Sequence, residues 1–179
     1  MKGYSMKHSL RVLCLLLALM LTLCAFTACD GGNWRDDLTS ASLTTTVKAA
    51  LPAGDGWDTV SDDYVSPSAW GEDYADYLEL VSDYVITISA ESDMNVDEIG
   101  IFHVKDAKDL SKIKSFTEKY LEAKKLRMAP LLESYNQAEL PKLDCAEITV
   151  CGNYLLYTIL SAEDTTAAHS AFEKALKAE

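Results

Sequence analysis

The sequence predicts an α+β domain. Its expected frame is a four-stranded, mainly antiparallel sheet in the order ββαββα, with helices packed on one face and a short helix in front. Three observations predict it. Tyr84–Ser89 and Ile99–Val104 are two β-branched or apolar runs separated by a polar turn. Ala146–Cys151 and Tyr154–Leu160 form a second pair around Gly152-Asn153. After each pair, apolar residues recur at three- and four-residue spacing, which is the helical period.

Ahead of this domain, Lys2, Lys7 and Arg11 precede an apolar run, Val12 to Leu23, broken only by Thr22. A basic start, an apolar run and a small-residue end are the parts of a secretory signal. The run is shorter than the roughly 20 residues that a membrane-spanning helix needs. It ends in Phe26-Thr27-Ala28-Cys29. These four residues resemble the lipobox of bacterial lipoproteins, an apolar residue and two small ones before a cysteine. Phe26 stands where leucine is usual. The resemblance implies that the Cys29 thiol is diacylated and that the bond before it is cut. Residues 1–28 would then be a signal peptide and Cys29 the first mature residue. The competing reading is an uncleaved membrane anchor. Two acyl chains hold a protein stably at a membrane, whereas one does so only marginally.

All 28 acidic residues follow Cys29, and three of the 16 basic ones precede it. The mature chain thus has 13 basic residues and a net charge of −15. Such a surface repels phosphate backbones, so nucleic acid is not an expected partner. The charge is uneven. Residues 30–98 hold 16 acids against Arg35 and Lys48, while residues 99–179 hold 12 acids against 11 bases. Solubility and internal balance explain this, and so does an acidic face for a cation or a basic partner. After lipidation of Cys29, only Cys145 and Cys151 remain in the mature chain. They lie six residues apart, about 20 Å along one strand, too far for a disulfide.

Residues 29–42 read as a lipidated flexible tether, rich in Gly, Asp and Ser. Trp34 within it is either an interfacial anchor or an exposed linker residue. The single α+β domain is expected over 43–179. Leu43, Val47, Ala50 and Leu51 mark a short helix, stopped by Pro52 and Gly54. Residues 53–69 look irregular. Trp70, Tyr74, Tyr77, Leu78 and Val81 predict an amphipathic helix. Ile99–Val104 is apolar on both parities except at His103, as a central strand would be.

Asp106 is the expected cap of the longest helix, whose stripe runs Leu110, Ile113, Thr117, Tyr120, Leu121, Lys124 and Met128. Lys105, Lys108, Lys112 and Lys119 lie along one side, a basic flank able to answer the acidic half. Pro130 should kink or restart this helix, and Pro141 should fall in a loop. Gly152-Asn153 suits a two-residue hairpin turn pairing 151 with 154. That register puts Ile148, Val150, Leu155 and Tyr157 on one face, and Glu147, Thr149, Leu156 and Thr158 on the other. Ser161 with Asp164 caps a last helix, with Ala168, Phe172, Ala175 and Leu176 as its buried stripe. Residues 99–121 and 154–176 share a few identities without gaps, a faint internal echo.

Three features resemble an uncharacterised family of short lipoproteins, a domain of unknown function from Gram-positive anaerobes. They are Cys29 with its lipobox, Asp97-Glu98-Ile99-Gly100-Ile101-Phe102 followed by Lys105-Asp106, and Gly152-Asn153-Tyr154-Leu155-Leu156. The resemblance covers about residues 43–176. It implies anchoring on the outer leaflet of the cytoplasmic membrane and brings no assigned activity.

Chemistry-bearing residues are sparse. His103 and His169 are the mature histidines, without a nucleophile elbow or a zinc-protease helix beside them. Asp93, Asn95 and Asp97 have the opening spacing of a calcium loop. Glu98 and Val104 occupy the places where such loops need Gly and Glu, so a plain hairpin turn is the better reading. Asp55, Asp58, Asp62, Asp63, Glu72 and Asp73 form a looser acidic cluster. No catalytic residue, metal or cofactor is expected. The expectation is a lipid-anchored, non-catalytic binding or accessory module with an envelope protein partner. The alternatives are an envelope hydrolase and a calcium-dependent adhesion module.

Overall fold

The structure is a computed structural model that describes residues 33–52, 56–60, 64–90 and 94–178. Residues 1–28, read above as a signal peptide, and Cys29 lie outside the described residues. So do Asp55, Asp62, Asp63 and Asp93.

The chain is α+β, as the patterning predicts, and its sheet is antiparallel throughout, but it has five strands. In chain order the elements are α1 (Ser40–Ala49), β1 (Trp57–Thr59), α2 (Pro67–Trp70), α3 (Tyr74–Leu78), β2 (Val81–Ser89), β3 (Glu98–Val104), α4 (Leu110–Tyr135), α5 (Leu140–Asp144), β4 (Glu147–Cys151), β5 (Tyr154–Ile159) and α6 (Ala162–Leu176). The expected ββαββα order therefore gains a strand and several short helices. The sheet runs β1-β2-β3-β5-β4. The added strand is a three-residue edge, with Trp57 opposite Ser89 and Thr59 opposite Thr87. Glycine, proline and aspartate around it hide so short a strand from any periodicity.

Helices cover both faces of the sheet, not one. On the first face, Leu43 and Val47 of α1 and Ala168, Phe172 and Leu176 of α6 pack on Ile99, Ile101, Tyr154 and Leu156. On the second, Trp70 of α2 and Ile113, Phe116 and Tyr120 of α4 pack on Ile86, Phe102, Leu155 and Tyr157. The cause is in the strands. β3 and β5 carry large apolar residues on both parities, and each side chain of β5 is buried. Leaving either face wet would forgo about 1.5–3 kcal/mol for each large apolar side chain. The two segments of the faint echo thus send their helices to opposite faces.

The β4–β5 hairpin has the expected register, with Cys151 opposite Tyr154 and Ile148 opposite Tyr157. Only Gly152 of the turn takes a positive φ, 58°; Asn153 does not. A Cβ at Gly152 would also come within 2.9 Å of the Trp34 Cβ. Gly152→Val should therefore cost about 1–3 kcal/mol, the scale of strain at such positions. Thermal denaturation checks this, and an unchanged melting temperature would contradict the turn. Cys145 and Cys151 are free thiols, although they do not share a strand: β4 begins at Glu147 and Cys145 caps the end of α5.

Several boundaries differ from expectation. The helix expected over 70–81 is split at Gly71, whose φ is 102°, and Val81 belongs to β2. α4 continues through Pro130 to Tyr135. The carbonyl that Pro130 cannot serve belongs to Leu126, a residue 72% exposed on the outer side of the helix. Pro141 sits in the first turn of α5, where its missing N–H costs nothing. Ser161 caps α6 as expected, its Oγ accepting from the Asp164 N–H. The Asp106 side chain accepts from the Lys108 N–H but caps a 3-10 turn over Ala107–Asp109, so the cap residue of α4 itself is Asp109, which makes no side-chain cap bond.

The stretch read as a tether is docked from Asn33 onward. Arg35 N–H donates to the Leu176 carbonyl and Ala178 N–H to that of Asn33. Trp34 bridges to Lys177 and packs against the first core rather than standing free. Thr39 caps α1, which begins at Ser40, earlier than the apolar pattern suggests.

Candidate functional site

The most concentrated chemistry lies at the start of β3. Glu98 points from the strand onto the second face and is fully buried. Three phenols donate to its carboxylate: Tyr157 at 2.6 Å, Tyr120 at 2.7 Å and Tyr64 at 2.9 Å. The Lys124 ammonium completes the set. Burial comes first in raising the hydroxyls of Tyr120 and Tyr157 well above the ordinary phenol range, and the Glu98 charge adds to it. They therefore stay neutral donors. Burial pulls Lys124 down, but attraction and hydrogen bonding to Glu98 and Tyr64 together outweigh it, and the ammonium is held above its ordinary value. It also lies 5.9 Å from the centre of the Tyr120 ring, within cation–π range.

The backbone makes room for this cluster. Gly100 lies opposite Tyr157, and a Cβ there would fall 1.9 Å from the ring. The ring thus crosses the strand where a side chain is missing. Trp70 stacks on Tyr120 from the other side, with ring centres 3.7 Å apart and planes 3° apart. An ionised carboxylate in this position costs several kcal/mol in lost hydration. Its four partners are what make it tolerable.

A second polar group holds the neighbouring turn. Lys142 pairs with Asp97 at 2.7 Å and with Glu139 at 2.9 Å, and Glu139 accepts from the Val96 N–H. Burial raises the Asp97 carboxyl despite Lys142. Of the calcium-loop candidates, Asp93 is outside the described residues. The Asn95 side-chain oxygen accepts from the Asp97 N–H, and the Asp97 carboxylate faces an ammonium. Asp58, Glu72 and Asp73, the described members of the acidic cluster, lie on β1 and around α3. Among the described residues no group of three His, Cys, Asp or Glu could hold a metal ion.

The two described histidines have different partners. His103, at the end of β3, stacks on Tyr154 and lies between Asp83 at 3.2 Å and Asp36 at 3.0 Å. Asp36 also accepts from the Asn153 side chain, and Tyr154 exchanges hydrogen bonds with the Leu38 backbone. This clasp fixes the docked N-terminal segment. His169, on α6, is buried between the hydroxyls of Thr149 at 2.7 Å and Thr158 at 3.0 Å. Those threonines occupy the face that the hairpin register assigned them. One ring nitrogen donates and the other accepts, so a neutral imidazole is satisfied.

Burial lowers the His169 pKa from 6.5 to about 4. Between these values the unfolded chain takes up a proton and the folded chain does not. Stability should then be full above about pH 6.5 and fall toward pH 4, by about 3 kcal/mol in all. Urea titrations across that window check it. The slope should flatten in His169→Gln, and equal slopes would contradict the assignment.

The basic flank of α4 serves mainly its own start. Lys108 pairs with Asp106 and Lys112 with Asp109, while Lys105 reaches the acidic segment through the Glu79 carbonyl. The sequence reading named Glu98 only as part of a turn and a motif, and did not single out Tyr64. The one available signal was Lys124, a lysine within an apolar stripe, which requires a buried anion opposite.

A family model described as a domain of unknown function, DUF4358, matches residues 71–160. That is half of the 179-residue chain. The chain belongs to this family. The DUF4358 match takes in Glu98, Gly100, Tyr120, Lys124 and Tyr157, and stops short of α6 and His169. Tyr64, Trp70 and the clasp residue Asp36 also lie outside it. No curated protein and no solved structure matches the chain.

Proposed function

We propose that this is a lipid-anchored extracytoplasmic protein, held on the outer leaflet of the cytoplasmic membrane through Cys29, whose domain is a non-catalytic binding or accessory module at the cell envelope. The observation that carries the non-catalytic reading is the occupancy of the buried ionisable groups. Glu98 is saturated by three phenols and an ammonium, and His169 by two threonine hydroxyls. A general acid or base must instead present a free position to its substrate. The lipobox-like Phe26-Thr27-Ala28-Cys29 supports the anchor. Confinement at a membrane raises the effective concentration of the domain for other surface proteins.

Cross-linking on intact cells should recover a reproducible envelope partner. Charge reversal at Glu72, Asp73 and Asp76 should weaken its capture. Turnover of peptidoglycan, ester or glycoside substrates by the purified protein, dependent on His103 or His169, would overturn the reading.

A further inference from the structure

We infer that His103 is a charge-switched latch: as an imidazolium it holds residues 33–38 against the domain, and as a neutral ring it lets that segment open more often. The geometry asks for the charge. His103 Nδ1 lies 3.2 Å from Asp83 Oδ2, and Nε2 lies 3.0 Å from Asp36 Oδ1. An ionised carboxylate accepts hydrogen bonds and donates none. A neutral imidazole has one N–H, so either tautomer satisfies one carboxylate and turns a lone pair toward the other. The imidazolium, with two N–H groups, meets both.

The groups around the ring leave this requirement in place. On β2, Asp83 is committed as an acceptor, because its Oδ1 also takes the Ser40 N–H at 2.7 Å. Burial pushes the Asp83 carboxyl up, but hydrogen bonds from Ser40 and the pull of His103 outweigh it and hold it below its ordinary value. On the docked segment, Asp36 accepts from the Asn153 amide with its other oxygen. On β5, Tyr154 stacks on the ring and donates its hydroxyl to the Leu38 carbonyl at 2.6 Å. Burial raises that phenol, so it stays neutral. Arg35 is forked onto Asp37, and Lys105 reaches the Glu79 carbonyl.

Histidine is the side chain whose charge changes between about pH 5 and 8. The docked state favours the protonated ring, and opening the segment takes Asp36 away from it. Docking is therefore linked to proton uptake, strengthening as pH falls and weakening as pH rises. The change is one of degree. Trp34 still packs on the first core, and the Arg35 and Ala178 amides still bond across the junction. The consequence for reach rests on the anchor proposed at Cys29. With the segment docked, four residues, 29–32, precede Asn33 and span at most about 14 Å. With it open, eleven residues, 29–39, precede α1 and span at most about 40 Å. Local pH then sets how far the domain ranges from its lipid.

The test is amide hydrogen exchange on the full chain, extracted in detergent. It is read by NMR at Arg35, Leu38 and Ala178, whose N–H groups bond across the junction. Opening constants, corrected for intrinsic exchange, are compared at about pH 6.5 and about pH 8.5, where the His169 contribution to stability is full. Opening of the wild type should rise about fivefold or more at the higher pH, while the amides of β3 and β5 keep their protection. Asp36→Asn offers an N–H to the neutral ring and an oxygen to Asn153. It should stay docked at both values, with less than about a twofold change. Equal wild-type opening at the two values, or an Asp36→Asn chain with the wild-type pH dependence, overturns the latch. Intact mass of the same sample reads the acyl chains on Cys29. Their absence overturns the anchor and the change in reach, whereas the exchange rates alone decide the latch.

Discussion

Glu98→Ala is expected to destabilise the domain by about 3–5 kcal/mol, the cost of stranding a buried charge. The substitution removes the acceptor shared by Tyr64, Tyr120 and Tyr157 and leaves the Lys124 ammonium buried without its counter-charge. Lost methylene packing adds to this. Glu98→Gln keeps an acceptor and should cost less. Glu98→Gln/Lys124→Met removes both charges and should recover part of the loss, because a buried pair contributes little beyond mutual compensation. Urea denaturation of the two single variants and the double gives the coupling directly. Additive losses would show that Glu98 and Lys124 do not act as a unit.

Gly100→Ala is the second large effect, at about 3–5 kcal/mol. A methyl group there would sit 1.9 Å from a ring carbon of Tyr157, which is fully buried. Overpacking alone costs about 1–3 kcal/mol. Displacing the ring also breaks a hydrogen bond to a carboxylate, worth about 1.5–3 kcal/mol. Both costs arise from one atom, since the Tyr157 hydroxyl is tied to Glu98 and cannot swing away freely. Thermal denaturation measures the loss. Gly100→Ala/Tyr157→Leu should regain stability relative to Gly100→Ala alone, and a Gly100→Ala protein as stable as the parent would contradict the close approach.

What the sequence showed and what it hid follow from physical range. The β4–β5 register was legible because Gly152-Asn153 is a local signal and the period-two pattern on either side agrees with it. The cap at Ser161 is equally local. Coverage of both sheet faces was written into Ile99–Val104, apolar on both parities, yet counting helices after strands suggested one face. β1 was hidden because three residues carry no period. The docking of Asn33–Leu38 depends on His103, Asn153, Tyr154 and the end of α6, all distant in sequence. The Glu98 cluster draws on four elements or loops, and only a lysine in an apolar stripe hinted at it.

The account turns on Cys29 as the point of attachment, and metabolic labelling with a clickable fatty acid tests it most directly. The wild-type chain should take up label and fractionate with membranes, and Cys29→Ala should lose the label and keep the signal segment. Label persisting in Cys29→Ala, or none in the wild type, would contradict it.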